Sequence, residues 1–210
     1  MARDSQGNNL ADVKIPVTGF AAIGPAGAAL INAASLADPD FVLPSEYDYL
    51  GLFTQDGGPD EENEAGDVIE FFQMGYSLPS GDDDVKETLT LAEDNEAVRR
   101  LVYGDEPIDG VYVKQGAVPV GSFPYLRVTR YKNGTELRRH GIVHVESIEP
   151  EQETRGEVRA FAVTFAFEYQ TDIGLVDRQG RPVGGLFFDT PIDLNAEADP
   201  DPEPDPEPGD

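Results

Sequence analysis

The chain has 210 residues, 39% hydrophobic and 9% aromatic, with 41 acidic against 15 basic side chains and a formal net charge of −26. That length suits one good core with appendages, the charge excludes wrapping of nucleic acid by phosphate neutralisation, and the absence of cysteine excludes a disulfide framework or a Cys-ligated zinc site. The opening residues lack the apolar core of a signal peptide and no run approaches the roughly 18 apolar residues of a membrane helix, so a soluble protein made in the cytosol is expected.

Residues 1–45 are rich in Ala and Gly, with one strand-like run (Val13, Ile15, Val17, Phe20) and helix-poor small residues from Ala26 to Ala37, stopped by Pro39 and Pro44. They read as an extended N-terminal arm carrying one strand. Residues 46–195 read as the folded domain. Its first part, Tyr47 to Gly104, holds three apolar runs at 47–54, 68–73 and 85–91, with an acidic insertion (Asp56 to Asp67) between the first two.

A short helix is expected from Asp94 or Asn95 to about Tyr103. Either residue can cap orphan N–H groups, Glu96 suits the positive end of the dipole, Val98, Leu101 and Val102 share a face, and Gly104 suits the left-handed terminating position. Further on, 124–131 and 136–148 flank Asn133-Gly134, which predicts a hairpin with a type I′ turn. From Val158 to Tyr169, large apolar residues (Phe161, Val163, Phe165, Phe167, Tyr169) alternate with small or polar ones, as in a strand with one face in a core. A last hairpin is expected at Asp177 to Gly180, ahead of Leu186-Phe187-Phe188. Short runs with frequent turn residues predict a mainly β, antiparallel sandwich or barrel-like domain with that one flanking helix. The segment 196–210 alternates acids with Pro and has seven acids and no aromatic or β-branched residue, so it is expected to stay disordered.

Charge is unevenly placed: residues 44–97 hold sixteen acids and one base, Lys86, whereas residues 98–181 hold twelve of each. Unlike potentials of that kind favour docking of one copy's acidic part on another's more basic part. Catalytic signals are weak. His140 and His144 sit four apart in a strand, about 13 Å by the usual rise and too far to share a metal. Asp82-Asp83-Asp84 and the run from Asp56 to Asp67 fit a calcium loop poorly, with Gly58 and Asp67 at ligand positions. No nucleophile elbow, phosphate-cradling loop or dinucleotide fingerprint is present, so no enzyme, cofactor or metal site is expected.

Three groups of residues carry a resemblance. The first is Tyr49-Leu50-Gly51-Leu52-Phe53-Thr54 with Asp56-Gly57; the second is Val68-Ile69-Glu70-Phe71-Phe72-Gln73; the third is Glu87-Thr88-Leu89-Thr90-Leu91 with Glu93 to Gly104. With the closing pair Gly141 to Ile148 and Phe161 to Tyr169, their order and spacing resemble the major tail tube protein of long, non-contractile-tailed bacteriophages. The family usually has Trp where Phe72 stands and an Arg near Met74-Gly75-Tyr76.

The resemblance implies a β-sandwich flanked by a helix, six copies per ring, and rings stacked into a virion tube through which DNA passes without specific binding. It implies a tape measure protein, a tail tip or initiator and a tail terminator as partners. The segment from Thr54 to Gly66 occupies the position of a loop that reaches the adjacent ring, which makes Asp60, Glu61, Glu62 and Glu64 candidate inter-ring residues. Arg99, Arg100, Arg138 and Arg139 are the candidate basic partners, unless they bind local carboxylates instead. The runner-up reading is an immunoglobulin-like binding or decoration module, for sugar or protein and with or without calcium. A hydrolase ranks third, since acids are plentiful.

Overall fold

The computed structural model describes residues 6, 8–64, 66, 68–70, 75–79, 84–104, 107–114 and 121–195. The acidic Pro-rich segment 196–210, residues 71–74 with the Phe72 departure, and Asp82-Asp83 lie outside them.

In chain order the elements are β1 (Pro16–Ile23), α1 (Ala33–Leu36), β2 (Asp48–Tyr49), β3 (Asp60–Glu64), β4 (Val68–Glu70), β5 (Ser77–Pro79), β6 (Asp84–Leu91), α2 (Glu96–Tyr103), β7 (Ser122–Tyr131), β8 (Thr135–Pro150), β9 (Phe161–Phe167) and β10 (Phe187–Asp193). The fold is mainly β and antiparallel, as the alternation of the sequence requires. One sheet runs in the order β2-β1-β7-β8-β9-β6-β3, with β10 also on β8, and β4 and β5 form a separate hairpin. The long strand β8 joins its parts: Thr135 to Gly141 pair with β10, Val143 to Pro150 pair with β9, and β7 holds the other edge.

Successive side chains of a strand point to opposite faces, so β1 and β7 feed two cores. On one face Ala21, Ile23 and Tyr125 join Leu89, Leu91, Val143, Val163 and Phe165, covered by Val98, Leu101 and Val102 of α2. On the other, Leu126 and Val128 meet Phe188, Ile173 and Leu36. The cover there is the strap Gly24 to Pro44, which packs Leu30, Ile31, Ala33, Phe41 and Leu43 against the sheet.

The segment expected as an arm thus carries the expected strand, β1, but that strand lies inside the chain's own sheet between β2 and β7. The small-residue stretch also contains one helical turn, α1, capped by Asn32, whose Oδ1 accepts from the Ala34 N–H at 2.8 Å. Leu36 is fully buried, which supplies the tertiary stabilisation that so short a helix needs.

Helix α2 forms where its signals place it. Asn95 Oδ1 accepts from the Val98 N–H at 2.9 Å, and Gly104, with φ of 91°, ends it. Asn95 Nδ2 also donates to Tyr49 O, and Glu93 accepts from the Leu52 N–H, tying the helix start to the 49–52 segment. Replacing Asn95 by Ala is expected to lower stability by about 1 kcal/mol; an unchanged urea midpoint would show that the cap is dispensable.

Two turns differ from expectation. The run 47–54 is not one strand: Gly51 has φ of +84° and a Cβ there would come within 2.6 Å of Glu93, so the chain turns after β2, and Phe53 bridges separately to Leu91. The 131–135 hairpin forms, but positive φ occurs at Gly134 and not at Asn133, with the Gly134 N–H donating to Tyr131 O at 3.0 Å. That is a three-residue loop with a left-handed glycine, a form that matches strand twist as the type I′ turn does. Asn133 instead uses Oδ1 to accept from the Thr135 N–H and hydroxyl. The second hairpin forms around Asp177, with Val176 bridged to Pro182.

Candidate functional site

The candidate inter-ring residues Asp60, Glu61, Glu62 and Glu64 form β3 and not a loop. Their backbones pair with Thr88, Glu87, Lys86 and Asp84 of β6. All are exposed, and no strand covers the outer side of β3 among the described residues. A row of carboxylates along an open edge blocks indiscriminate strand pairing.

The four acids are not equivalent. Glu61 reaches down to Arg139, and Glu64 lies 3.7 Å from Lys86, whereas Asp60 and Glu62 have no ion-pair partner among the described residues.

All four candidate arginines are engaged within the chain. Arg99 grips Asp94 with two hydrogen bonds of 2.9 and 3.1 Å, which holds the Asp94 carboxyl below its usual range, and lies over the Tyr112 ring. Arg100 pairs with Asp48. Arg138 is nearly fully buried; it donates to Glu136 at 2.6 Å and to the carbonyls of Leu36 and Asp38 at 2.8 and 2.6 Å, and so clamps the C-terminal end of α1 onto β8. Arg139 binds Asp189 through two bonds of 2.8 and 2.9 Å and stacks over Phe187 at 4.0 Å. The local-carboxylate reading of these residues therefore describes them. Exposed bases without a carboxylate partner among the described residues include Lys132, Arg155 and Arg178.

Beneath β3 lies a cluster that spacing alone does not reveal. Glu87 of β6 is completely buried, accepts a hydrogen bond from the Tyr125 hydroxyl, and has Arg127 Nε at 3.0 Å and Arg139 Nη1 at 3.9 Å from Oε2. The Arg127 pair is a charge contact and not a hydrogen bond, since neither Arg127 Nε nor Glu87 Oε2 has a hydrogen-bond partner. Burial pushes the Glu87 carboxyl above its usual range, against the pull of Arg127, the Tyr125 hydroxyl and Arg139. The Tyr125 phenol is raised well above its own by burial and then by Glu87. Arg139 thus links three strands through Glu61, Glu87 and Asp189, and this cluster sets the position of the acidic edge. One signal was present: Glu87 falls in the buried register Val85, Glu87, Leu89, Leu91.

His140 is fully buried and both ring nitrogens are occupied, so no substrate can reach it as a base. His144 is exposed, with Nδ1 3.1 Å from Glu168. Asp56 sits in an exposed turn and Asp60 in β3, while Asp67, the last position of the poorly fitting calcium-loop alignment, lies outside the described residues.

These features define an antiparallel, mainly β domain with one acidic edge supported by a buried ionic cluster. No family model and no curated protein matches the chain.

Proposed function

We propose that this chain is a structural subunit that assembles into rings and stacked tubes of the phage tail type, lining a negatively charged channel for DNA. The observation that carries the reading is the acidic edge strand β3, uncovered among the described residues and tied to the sheet by the Glu61–Arg139 link on a body of strongly negative charge. A contact surface fixed in place loses less entropy on association than a mobile loop, and a negative lumen repels phosphates and lets DNA slide. The order of motifs from Tyr49 to Gly104 supports the same reading.

On it, Asp60 and Glu62 meet a basic surface of another copy. With the four arginines engaged internally, Lys132, Arg155 and Arg178 become the cations to examine. Tape measure, tip or initiator, and terminator proteins are the further partners, and the virion tail is the location.

Negative-stain microscopy and sizing at rising concentration test it. The wild-type chain is expected to give rings or tubes with a central hole, with assembly weakened by salt that screens exposed charge. The double variant Asp60→Asn, Glu62→Gln is expected to keep the wild-type thermal transition and lose the tubes. A chain that stays monomeric even with tail-tip initiators overturns the assembly reading. It would favour the binding-module alternative, for which a cleft of about 470 Å³ between β1, β7 and the 52–59 segment is the place to look. Unimpaired tubes from the double variant would remove β3 from the stacking contact.

A further inference from the structure

The start of the strap from Gly24 to Pro44 is held by its backbone, the Gly24 and Gly27 N–H groups donating to the Pro124 and Ser122 carbonyls of β7, whereas its stretch from Ile31 to Asp38 is fastened by side chains of two residues on one row of β8. Arg138 holds the carbonyls of Leu36 and Asp38, and His140 holds Ile31. The His140 contact is directional. Nδ1 lies 2.7 Å from the Tyr125 carbonyl oxygen, which can only accept, so Nδ1 carries the hydrogen; Nε2 is then a bare acceptor and takes the Ile31 N–H at 2.8 Å. Only the neutral ring satisfies both partners. An added proton on Nε2 would face the Ile31 N–H donor to donor, on a ring that has no water-exposed surface of its own.

We propose that His140 is an acid-released latch: its neutral imidazole clamps the strap over the second core, and its protonation in the opened state frees the strap and uncovers Leu126, Val128 and Phe188. Apart from the Tyr125 carbonyl at Nδ1, the groups facing the ring do nothing to stabilise its charge. Phe188 of β10 packs edge-on at 5.7 Å and Tyr47 lies at 6.2 Å, with its hydroxyl pushed up to about 12 by burial and then by Glu46. Across the β7 pairing stands Leu126. On β8 itself the nearest charge on that face is cationic Arg138, already neutralised by Glu136 beyond it. From the strap, Asp38 turns its carboxylate to the Asp40 N–H and offers Arg138 only its carbonyl.

Burial depresses the ring from its ordinary 6.5 to about 4, with the Tyr125 carbonyl opposing. The sign follows. Above pH 6.5 neither state takes the proton and the latch is at full strength. As pH falls from 6.5 towards 4 the opened strap takes the proton and the closed one refuses it, so opening rises about tenfold per pH unit, by about 300-fold in all, and levels off near pH 4.

Amide hydrogen exchange on the full chain, resolved by residue and corrected for the intrinsic pH dependence of exchange, reads this directly. The Ile31 amide should lose protection about tenfold per unit over that range while the β7 and β8 amides stay protected. Ring ¹⁵N shifts should show the Nδ1–H form and a midpoint near pH 4. The variant His140→Gln, whose amide can donate to Tyr125 O and accept from Ile31 without titrating, should have a strap whose protection no longer follows this slope. A midpoint near 6.5, protection at Ile31 that ignores pH, or loss of protection in step with the whole sheet would each overturn the latch. If the variant does not fold, the ring shifts and exchange of the wild-type chain decide alone.

Discussion

Replacing Glu87 by Ala is expected to cost about 3–5 kcal/mol of stability, the range for breaking a buried charge pair by removing one partner. The substitution leaves Arg127 and Arg139, which cross-strand pairing sets side by side on β7 and β8, without the carboxylate between them. It also strips the buried Tyr125 hydroxyl of its acceptor. Set against the 5–15 kcal/mol of a typical domain, such a loss would shift the denaturant midpoint far down or unfold the chain.

Glu87→Gln separates charge from hydrogen bond, since the amide still accepts from Tyr125, and its loss should be smaller. The pH dependence adds a check. Because burial raises the folded pKa of Glu87 above the unfolded value near 4.5, this group's contribution is fully present below that value and is lost as pH rises through the folded pKa. Glu87→Gln should remove that part of the slope in unfolding measured from pH 4 upward. A Glu87→Ala loss under about 1 kcal/mol would mean that the cluster is not the ionic support described.

Phe165→Ala should be of similar size, about 3–5 kcal/mol, through a cavity in the first core. Phe165 is fully buried and stacks on Tyr125 with ring centroids 5.2 Å apart. Tyr125 in turn holds Glu87, so the two sites share a partner, and the double variant with Glu87→Ala should fall short of additivity by about 0.5–3 kcal/mol. Strict additivity in urea unfolding would deny the coupling between the aromatic core and the ionic cluster.

Much of the architecture was legible because it rests on local patterns. The alternation in Val85 to Leu91 and Phe161 to Phe167, the capping residues around Val98 to Val102, and the turn at Asn133-Gly134 are each decided within a few residues. Where local reading erred, a distant neighbour intervened. The acidic run 60–64 has poor strand propensity, yet pairs with β6, and Lys86 and Arg139 offset part of its repulsion. Residues 28–44 show no helical period, yet Arg138 and His140, a hundred or more positions from their contacts, fasten them. Arg100 and Arg139 stayed open to either reading because their partners Asp48, Glu61 and Asp189 lie 50 or more positions off in sequence.

By itself the sequence determined the mainly β class, helix α2 with both its caps, the hairpin positions and the excess of negative charge, because periodicity, capping and composition act locally or globally without regard to topology. Only the tertiary structure decided that the N-terminal segment closes the chain's own second core, that Glu87 is buried among arginines, and that β3 is a fixed edge. Those outcomes depend on which strands the sheet brings side by side, and long-range pairing leaves no mark in the spacing of either partner alone.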